Sequence, residues 1–218
     1  MLVHAVTPIV VGAQEVARRQ ARYDALSPAG VRVVLSDLPP GGPRALDTEQ
    51  DVRRSTELVA EALAAAPDCD AVLPDCVLDP AVPPHGGTIG GRPALGLLRL
   101  TAGAAVAAGH RISAVTRNAA IATELQRRIT DYGWQHSFHE VTVLDLDVHD
   151  ITDPARWEQA LRPALHKART AGATAVINGC SAVETTTPPQ NTPLLLDPIK
   201  TALGVLAALN TPTHSTPP

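Results

Sequence analysis

The feature that most restricts the fold of this chain is a regular alternation of short apolar runs with longer amphipathic stretches. The apolar runs are residues 2–6, 31–35, 71–73, 112–115, 141–146, 175–177 and 194–196. The amphipathic stretches are residues 14–26, 47–66, 98–108, 119–132, 154–171 and 198–209. Strands that alternate with helices in this way are typical of βαβ units and parallel sheets. We therefore predict an α/β protein.

The two halves of the chain also repeat the same order of features. Residues 70–76 (DAVLPDC) match residues 174–180 (TAVINGC), and residues 4–7 (HAVT) match residues 113–116 (SAVT). Each half therefore reads as a strand ending in Thr, a helix, a strand, a helix and a strand ending in Cys. This order predicts two similar lobes that face each other about a pseudo-twofold axis.

The predicted division of the chain follows from this repeat. The first lobe takes residues 1–97 together with 194–209, because the last strand and helix are expected to return to it. The second lobe takes residues 98–193. Residues 210–218 are rich in Thr and Pro and are predicted to form a disordered tail.

The repeat places Thr7, Cys76, Thr116 and Cys180 at the carboxyl ends of parallel strands, where α/β sheets bind their ligands. A thiol has a pKa of about 8.5, so it can act as a base or as an acid near neutral pH. One thiol on each face of a bound molecule suits inversion of a stereocentre by proton transfer. Backbone N–H groups after each Cys would stabilise a thiolate and an enolate oxygen.

Polar neighbours of these strand ends are candidates for substrate contact. The hydroxyls of Thr7, Thr116 and Ser181 would supply hydrogen bonds, although strand-end hydroxyls also commonly bind local backbone. Arg117 would anchor a carboxylate, and a solvated arginine is the alternative. For Cys76 and Cys180 the alternative is a pair of buried structural thiols.

Composition excludes several classes of partner. The net charge is −4 and only 2% of residues are aromatic, which disfavours nucleic-acid binding. No apolar run is long enough to span a membrane, and residues 1–11 lack the basic leader of a secretion signal. We therefore predict a cytoplasmic protein that binds a small molecule, with no nucleic-acid or membrane partner. Homo-oligomerisation is left open.

The cysteines and acidic residues indicate neither a disulfide framework nor a cofactor. The three cysteines form no Cys-x-x-Cys pair, and Cys69 opens its strand, which predicts a packing role. Residues 86–91 (GGTIGG) lack the Gly-Lys-Ser/Thr ending of a phosphate loop. The spacing of Asp145, Asp147, His149 and Asp150 fits no standard metal site. We predict no metal and no cofactor.

Several segments resemble a known family. Residues 70–81 (DAVLPDCVLDPA) and 172–181 (GATAVINGCS) resemble the two cysteine motifs of the aspartate/glutamate/hydantoin racemase superfamily, and the hydantoin racemase branch most closely. Residues 91–96 (GRPALG), 112–116 (ISAVT) and 193–198 (PLLLDP) are similar to further segments of that branch. The resemblance extends to about residue 209.

The resemblance implies two Rossmann-like lobes with parallel sheets and an active site between them. It implies cofactor-independent removal and return of a proton at a carbon alpha to a carbonyl of a hydantoin or amino-acid-like substrate. Cys76 and Cys180 correspond to the base and acid. Thr116 and Ser181 correspond to substrate contacts, and Val77 would act through its backbone N–H.

The chain also departs from the family pattern at the substrate end. The family often has Asn-Pro-Asn-Thr after the first strand, whereas this chain has TPIV at residues 7–10. The residues after Cys180 fit neither the hydantoin nor the amino-acid branch. Two alternatives to a racemase therefore remain: other enolate chemistry on the same scaffold, such as a decarboxylase, a cis–trans isomerase or a biosynthetic tailoring enzyme, and a non-catalytic binding protein.

Overall fold

A computed structural model describes residues 1–148, 150, 153–184 and 191–209 of the chain. The strands are β1 (Leu2–Val6), β2 (Arg32–Ser36), β3 (Ala71–Pro74), β4 (Thr88–Ile89), β5 (Arg92–Pro93), β6 (Ile112–Thr116), β7 (Phe138–Val143), β8 (Ala175–Asn178) and β9 (Leu194–Leu196). The helices are α1 (Ala13–Leu26), α2 (Glu49–Ala64), α3 (Leu97–Ala107), α4 (Ala119–Asp131), α5 (Pro154–Thr170) and α6 (Pro198–Leu209). The predicted tail, residues 210–218, lies outside the described residues.

Seven of the nine described strands form two parallel sheets, one in each lobe, and β4 and β5 form a separate antiparallel pair. The first sheet has the order β2-β1-β3 and the second has the order β7-β6-β8-β9. In each lobe the opening strand lies between its two successors, so β1 corresponds to β6 and β3 corresponds to β8. The predicted α/β fold with two similar lobes is confirmed.

Local side-chain chemistry sets where the helices begin. The hydroxyl of Thr48 accepts the N–H of Asp51, and the Asp51 carboxylate accepts the N–H of Thr48 in return, which starts α2 with a capping box. The Asn118 side chain accepts the N–H of Ile121 at 2.9 Å and starts α4. α4 therefore begins directly after the end of β6, at the edge where ligands bind.

The central apolar core joins the two lobes. It contains residues from α2, from the Cys76 loop, from α3, from α4 and from the second sheet, among them Leu78, Leu98 and Ile112. The outer core of the first lobe is closed by α6, whose Ile199 and Leu203 are almost fully buried. The lobes therefore share apolar surface instead of meeting only at a polar hinge.

The position of residues 194–209 differs from the predicted division of the chain into two lobes. Residues 194–209 were assigned to the first lobe, but β9 pairs with β8 in the second sheet. Only the helix that follows, α6, packs on the first lobe, against α1, and it also packs against α3, the helix that follows residues 1–97 in the chain. The short apolar strand carries no signal of its partner sheet, because Leu-Leu-Leu suits a parallel strand in either lobe.

Two other segments differ from the sequence-based prediction. β7 begins at Phe138, three residues before the predicted run, because the polar residues His139 and Glu140 lie on an edge strand and interrupt its apolar pattern. Residues 86–91, which are not among the predicted strands, contain β4 and the turn to its antiparallel partner β5.

A buried carboxylate fixes the start of α3. Asp79 has no exposed surface, and it accepts the N–H groups of Leu98 at 3.0 Å and Arg99 at 2.8 Å. It also accepts the hydroxyl of Tyr132 at 2.8 Å. A Cβ atom at Gly96 would lie 2.3 Å from the Asp79 carboxylate, so only glycine allows this approach. Asp79 therefore ties the loop after Cys76 to α3 and α4.

We expect Asp79→Ala to lower the free energy of unfolding by about 2–4 kcal/mol, because it leaves two helix N–H groups and a tyrosine hydroxyl without their acceptor. Urea denaturation followed by circular dichroism measures this change. Asp68→Ala, at an exposed position, is the matched control and should change stability by less than about 0.5 kcal/mol. Equal effects of the two substitutions would contradict the anchoring role of Asp79.

Candidate active site

A cleft between the lobes brings together the two predicted catalytic cysteines. Cys76 follows β3 and Cys180 follows β8, so both lie beyond the carboxyl ends of corresponding strands. The cavity volume of the cleft is about 70 Å³, smaller than that of a typical small-molecule site, and the cleft opens to solvent beyond it. Its lining residues are Pro8, Ile9, Arg19, Leu46, Cys76, Val77, Leu78, Arg117, Ile121, Val148, Gly179, Cys180, Ser181 and Ala182.

The Cys76 loop turns tightly after β3. The Cys76 N–H donates to the Pro74 carbonyl at 2.8 Å, and the Leu78 N–H points to the Cys76 Sγ at 3.5 Å. Burial raises the pKa of the Cys76 thiol well above its ordinary value; the Leu78 N–H partly opposes this, while Asp75 and Asp79 raise the pKa further. Cys76 is therefore an uncharged thiol at neutral pH, suited to donating a proton.

The Cys180 loop is held from several sides. The Asn178 amide donates to the carbonyls of Cys180 and Val183, at 3.1 Å each. From α1 of the other lobe, Arg18 donates to the Ala182 carbonyl at 2.8 Å, and Arg22 donates to the Ser181 carbonyl. Every carbonyl of residues 180–183 therefore has a donor within the protein.

Gly179 allows this loop to lie close to the neighbouring strand. Its N–H donates to the Val115 carbonyl at 2.8 Å. A Cβ atom at this position would lie 2.1 Å from the Val115 carbonyl oxygen, so any side chain would push the loop away from β6. Gly179 thereby sets the position of the Cys180 thiol.

The environment of Cys180 is more cationic than that of Cys76. Burial raises the pKa of the Cys180 thiol, but Arg19, the Ala182 N–H and Arg117 act in the opposite direction. Cys180 is also more exposed than Cys76. Of the two thiols, Cys180 is thus the better thiolate.

The repeat extends to the hydrogen bonds of the thiols. In each loop the thiol faces the backbone N–H two residues later, that of Leu78 or that of Ala182. Within the described residues, the intervening N–H groups of Val77 and Ser181 have no acceptor. The two loops therefore present equivalent donors beside the two thiols.

A buried charge network supports this arrangement. Arg19 donates to Asp75 at 3.0 Å and to Glu15 at 2.8 Å, and the Tyr23 hydroxyl donates to the second oxygen of Asp75 at 2.8 Å. Asp75 has no exposed surface. These residues were not predicted from the sequence, because arginines on an amphipathic helix are usually solvated. The sequence signal for them is that Arg19 and Tyr23 lie on one helix face.

Arg117 lines the same cleft from the second lobe. Its Nη2 lies 2.7 Å from the Asp47 carboxylate of the first lobe. The neighbouring Asn118 donates to the Leu46 carbonyl at 2.8 Å, so the end of β6 is fixed against the loop before α2. Arg117 is therefore paired with a carboxylate of the protein itself, and its role as an anchor for a substrate carboxylate stays a prediction.

The predicted threonine contacts do not line the cleft. The Thr7 hydroxyl lies 2.8 Å from Asp37 and accepts the Leu38 N–H at 2.9 Å. The Thr116 hydroxyl donates to the Asn118 carbonyl at 3.3 Å. Ser181 lines the cleft, although its hydroxyl donates to the Asp75 carbonyl at 3.1 Å. Both threonines thus stabilise local turns, and Ser181 offers its backbone N–H.

The acidic residues considered as metal ligands are engaged in local structure. Asp147 and Asp150 each accept the backbone N–H of the other at 3.0 Å, and Asp150 pairs with Arg156 at 2.6 Å. His149 lies outside the described residues. Among the residues that are described, no group of three or more metal-ligating side chains is present.

We expect Cys180 to react with iodoacetamide at lower pH than Cys76, because only Cys180 faces two guanidinium groups. The pH dependence of alkylation, resolved by peptide mass spectrometry, measures this order. Below the thiol pKa, the alkylation rate of Cys180 should rise about tenfold per pH unit. Faster alkylation of Cys76 across the whole pH range would show that the arginines do not act on Cys180.

Comparison with known proteins gives the family. The family model of Asp/Glu/hydantoin racemases matches residues 14–205. No curated protein sequence matches the chain. No described helix has the length and apolar character that crossing a membrane requires.

Among the solved structures with the same two-lobe fold are three enzymes whose activities differ from one another. Allantoin racemase from Pseudomonas fluorescens has a TM-score of 0.78 and 17% identity, over 96% of this chain and 90% of that one. Picrophilus torridus aspartate racemase has a TM-score of 0.63 and 14% identity, over 95% and 93%. The maleate isomerase Iso from Pseudomonas putida S16 has a TM-score of 0.56 and 15% identity, over 97% and 93%.

These likenesses show the fold, and the fold and the family model together support racemase or isomerase chemistry on this scaffold. The match to the family model includes both cysteine loops and nearly all of α1. The chain belongs to the Asp/Glu/hydantoin racemase family.

Proposed function

We propose that this protein is a cofactor-independent racemase or epimerase that uses Cys76 and Cys180 as a two-sided acid/base pair. The observation that carries the proposal is that two thiols from equivalent loops line one cleft. Each thiol has a backbone N–H donor in the same relative position. Because the two loops are equivalent, such a site offers one proton-transfer group to each face of a bound molecule.

In the proposed reaction, the Cys180 thiolate removes the proton from a carbon alpha to a carbonyl. The electron pair of the broken C–H bond moves to the carbonyl oxygen and forms an enolate. The unpaired N–H groups of Val77 and Ser181 would hold that oxygen. The Cys76 thiol then donates its proton to the opposite face, which inverts the centre and leaves Cys76 as the thiolate.

The reverse reaction exchanges the roles of the thiols. Cys76 then acts as the base from its own face, and Cys180 returns the proton. Arg117 is the proposed anchor for a substrate carboxylate. Candidate substrates are hydantoins, including allantoin, and amino-acid-like compounds.

Proton exchange in heavy water tests the proposal. The protein is incubated with single enantiomers of allantoin, 5-benzylhydantoin, aspartate and glutamate, and loss of the α-proton is followed by NMR beside optical rotation. A racemase loses the proton signal and the rotation together, at a rate above that of a blank without protein. Absence of exchange above the blank for each of these compounds, and for N-carbamoylphenylalanine and phenylalanine, would exclude the proposed function.

A further inference from the structure

The cleft has an unusual charge balance. Of the described residues that line it, Arg19 and Arg117 are charged and none is acidic. Most of the other lining side chains are apolar: Pro8, Ile9, Leu46, Val77, Leu78, Ile121, Val148 and Ala182. A ligand here therefore meets positive charge and an apolar wall.

The two arginines differ in how firmly their charges are paired. Arg19 is bound to Asp75, which is fully buried, and to Glu15. Removing Arg19 from Asp75 would leave a carboxylate unpaired in the interior, which is costly. Arg19 is therefore a fixed part of the protein and is not free to pair with a ligand instead.

Arg117 is paired with a carboxylate that water can take over. The Arg117 side chain is 6% exposed, whereas the side chain of its partner Asp47 is 56% exposed. An ion pair with one exposed member is weak, and Asp47 can be hydrated when it is released. Arg117 is thus the cation in the cleft that can exchange its partner for an anionic ligand.

The cleft is poorly suited to an ammonium group. A buried ammonium needs a carboxylate or several carbonyl oxygens as acceptors. No described acid lines the cleft, and the carbonyls of residues 180–183 already accept from Asn178, Arg18 and Arg22. A zwitterionic amino acid would lose its hydration here without gaining a counter-charge.

We propose that the substrate is a monoanion: its single carboxylate is held by Arg117, its apolar substituent packs against the cleft wall, and it has no free ammonium group. This inference rests on the proposed function, because it assigns the substrate class of the same site. N-acylated or N-carbamoylated α-amino acids with apolar side chains belong to this class.

Calorimetric titration at pH 7 with four related compounds tests the inference. N-carbamoylphenylalanine carries one carboxylate and no ammonium. 5-Benzylhydantoin is the corresponding closed, uncharged ring. Phenylalanine has a free ammonium group in place of the carbamoyl group, and aspartate has an ammonium group and a second carboxylate in place of the phenyl ring. Racemic ligands are used, because racemisation then causes no net change in composition. We expect N-carbamoylphenylalanine to bind at least about tenfold more tightly than each of the others.

Arg117→Met should weaken binding of N-carbamoylphenylalanine by about 10- to 100-fold and change binding of 5-benzylhydantoin by less than about twofold. Because Asp47 is exposed, this variant leaves no buried charge unpaired and should fold. Arg53→Met, which removes an arginine that is 67% exposed on α2, is the matched control and should leave all four affinities unchanged. Tighter binding of phenylalanine or aspartate, or an equal loss for all ligands in Arg117→Met, would overturn the inference.

Proton exchange with the same compounds separates this inference from the proposed function. If N-carbamoylphenylalanine binds through Arg117, but neither it nor any other compound exchanges its α-proton, the proposed ligand class is retained and the racemase function is rejected. Exchange of 5-benzylhydantoin alone, with no binding of N-carbamoylphenylalanine, would keep the racemase and reject the monoanion.

Discussion

Cys76→Ala and Cys180→Ala are each expected to lower the rate of racemisation by about 10²–10⁴-fold, the usual contribution of a positioned acid or base. Each variant retains one thiol, so it can still remove a proton and return it to the same face. Cys180→Ala should therefore exchange the α-proton of one enantiomer with retention, and Cys76→Ala should do so with the other. NMR in heavy water, with optical rotation recorded in parallel, measures both rates.

Cys69→Ala is the control for these two variants. Cys69 belongs to the apolar cluster beneath α2 and does not line the cleft. Its replacement should change racemisation by less than about twofold. If Cys76→Ala or Cys180→Ala racemised as fast as Cys69→Ala, the two-thiol mechanism would be wrong.

A large effect on stability is expected from a substitution in the buried charge network of the first lobe. Arg19→Met should lower the free energy of unfolding by about 3–5 kcal/mol, because it leaves the carboxylate of Asp75 buried without its cation. Asp75 directly precedes Cys76, so the same change should disturb the cysteine loop. Urea denaturation followed by circular dichroism measures the loss.

A double variant distinguishes lost charge from lost packing. Arg19→Met combined with Asp75→Asn removes both charges and keeps an acceptor for the Tyr23 hydroxyl, so it should recover at least about 2 kcal/mol. Arg53→Met, which removes an arginine that is 67% exposed on α2, is the control and should change stability by less than about 0.5 kcal/mol. A loss below about 1 kcal/mol for Arg19→Met would show that the pair does not stabilise the fold.

The course of the chain was largely predictable from the sequence. Buried parallel strands read as apolar runs, and the stretches between them are amphipathic, so β1, β3, β6 and β8 lie where the pattern indicates. β7 was misplaced because it is an edge strand with polar residues. β9 was assigned to the wrong sheet because three leucines contain no information about their partner.

The site was predictable only where the repeat marks it. Cys76 and Cys180 stand at corresponding strand ends, so symmetry alone brings them to one cleft. Thr7 and Thr116 have the same symmetry, but their hydroxyls are bound to local structure and do not line the cleft. The Arg19–Asp75 pair was missed, because an arginine on an amphipathic helix is usually solvated, and the shared helix face of Arg19 and Tyr23 does not indicate that Asp75 is their partner.

The course of the last strand and helix bears on how this protein forms during synthesis. The core of the first lobe is completed by α6, and the sheet of the second lobe is completed by β9. A nascent chain that has only its first half outside the ribosome would therefore expose the apolar surface that Ile199 and Leu203 later cover. We therefore expect that the two lobes do not fold one after the other, as the domains of many larger proteins do. Both lobes should reach their native state together, after translation of α6, and chaperone binding to the nascent first half should persist until then.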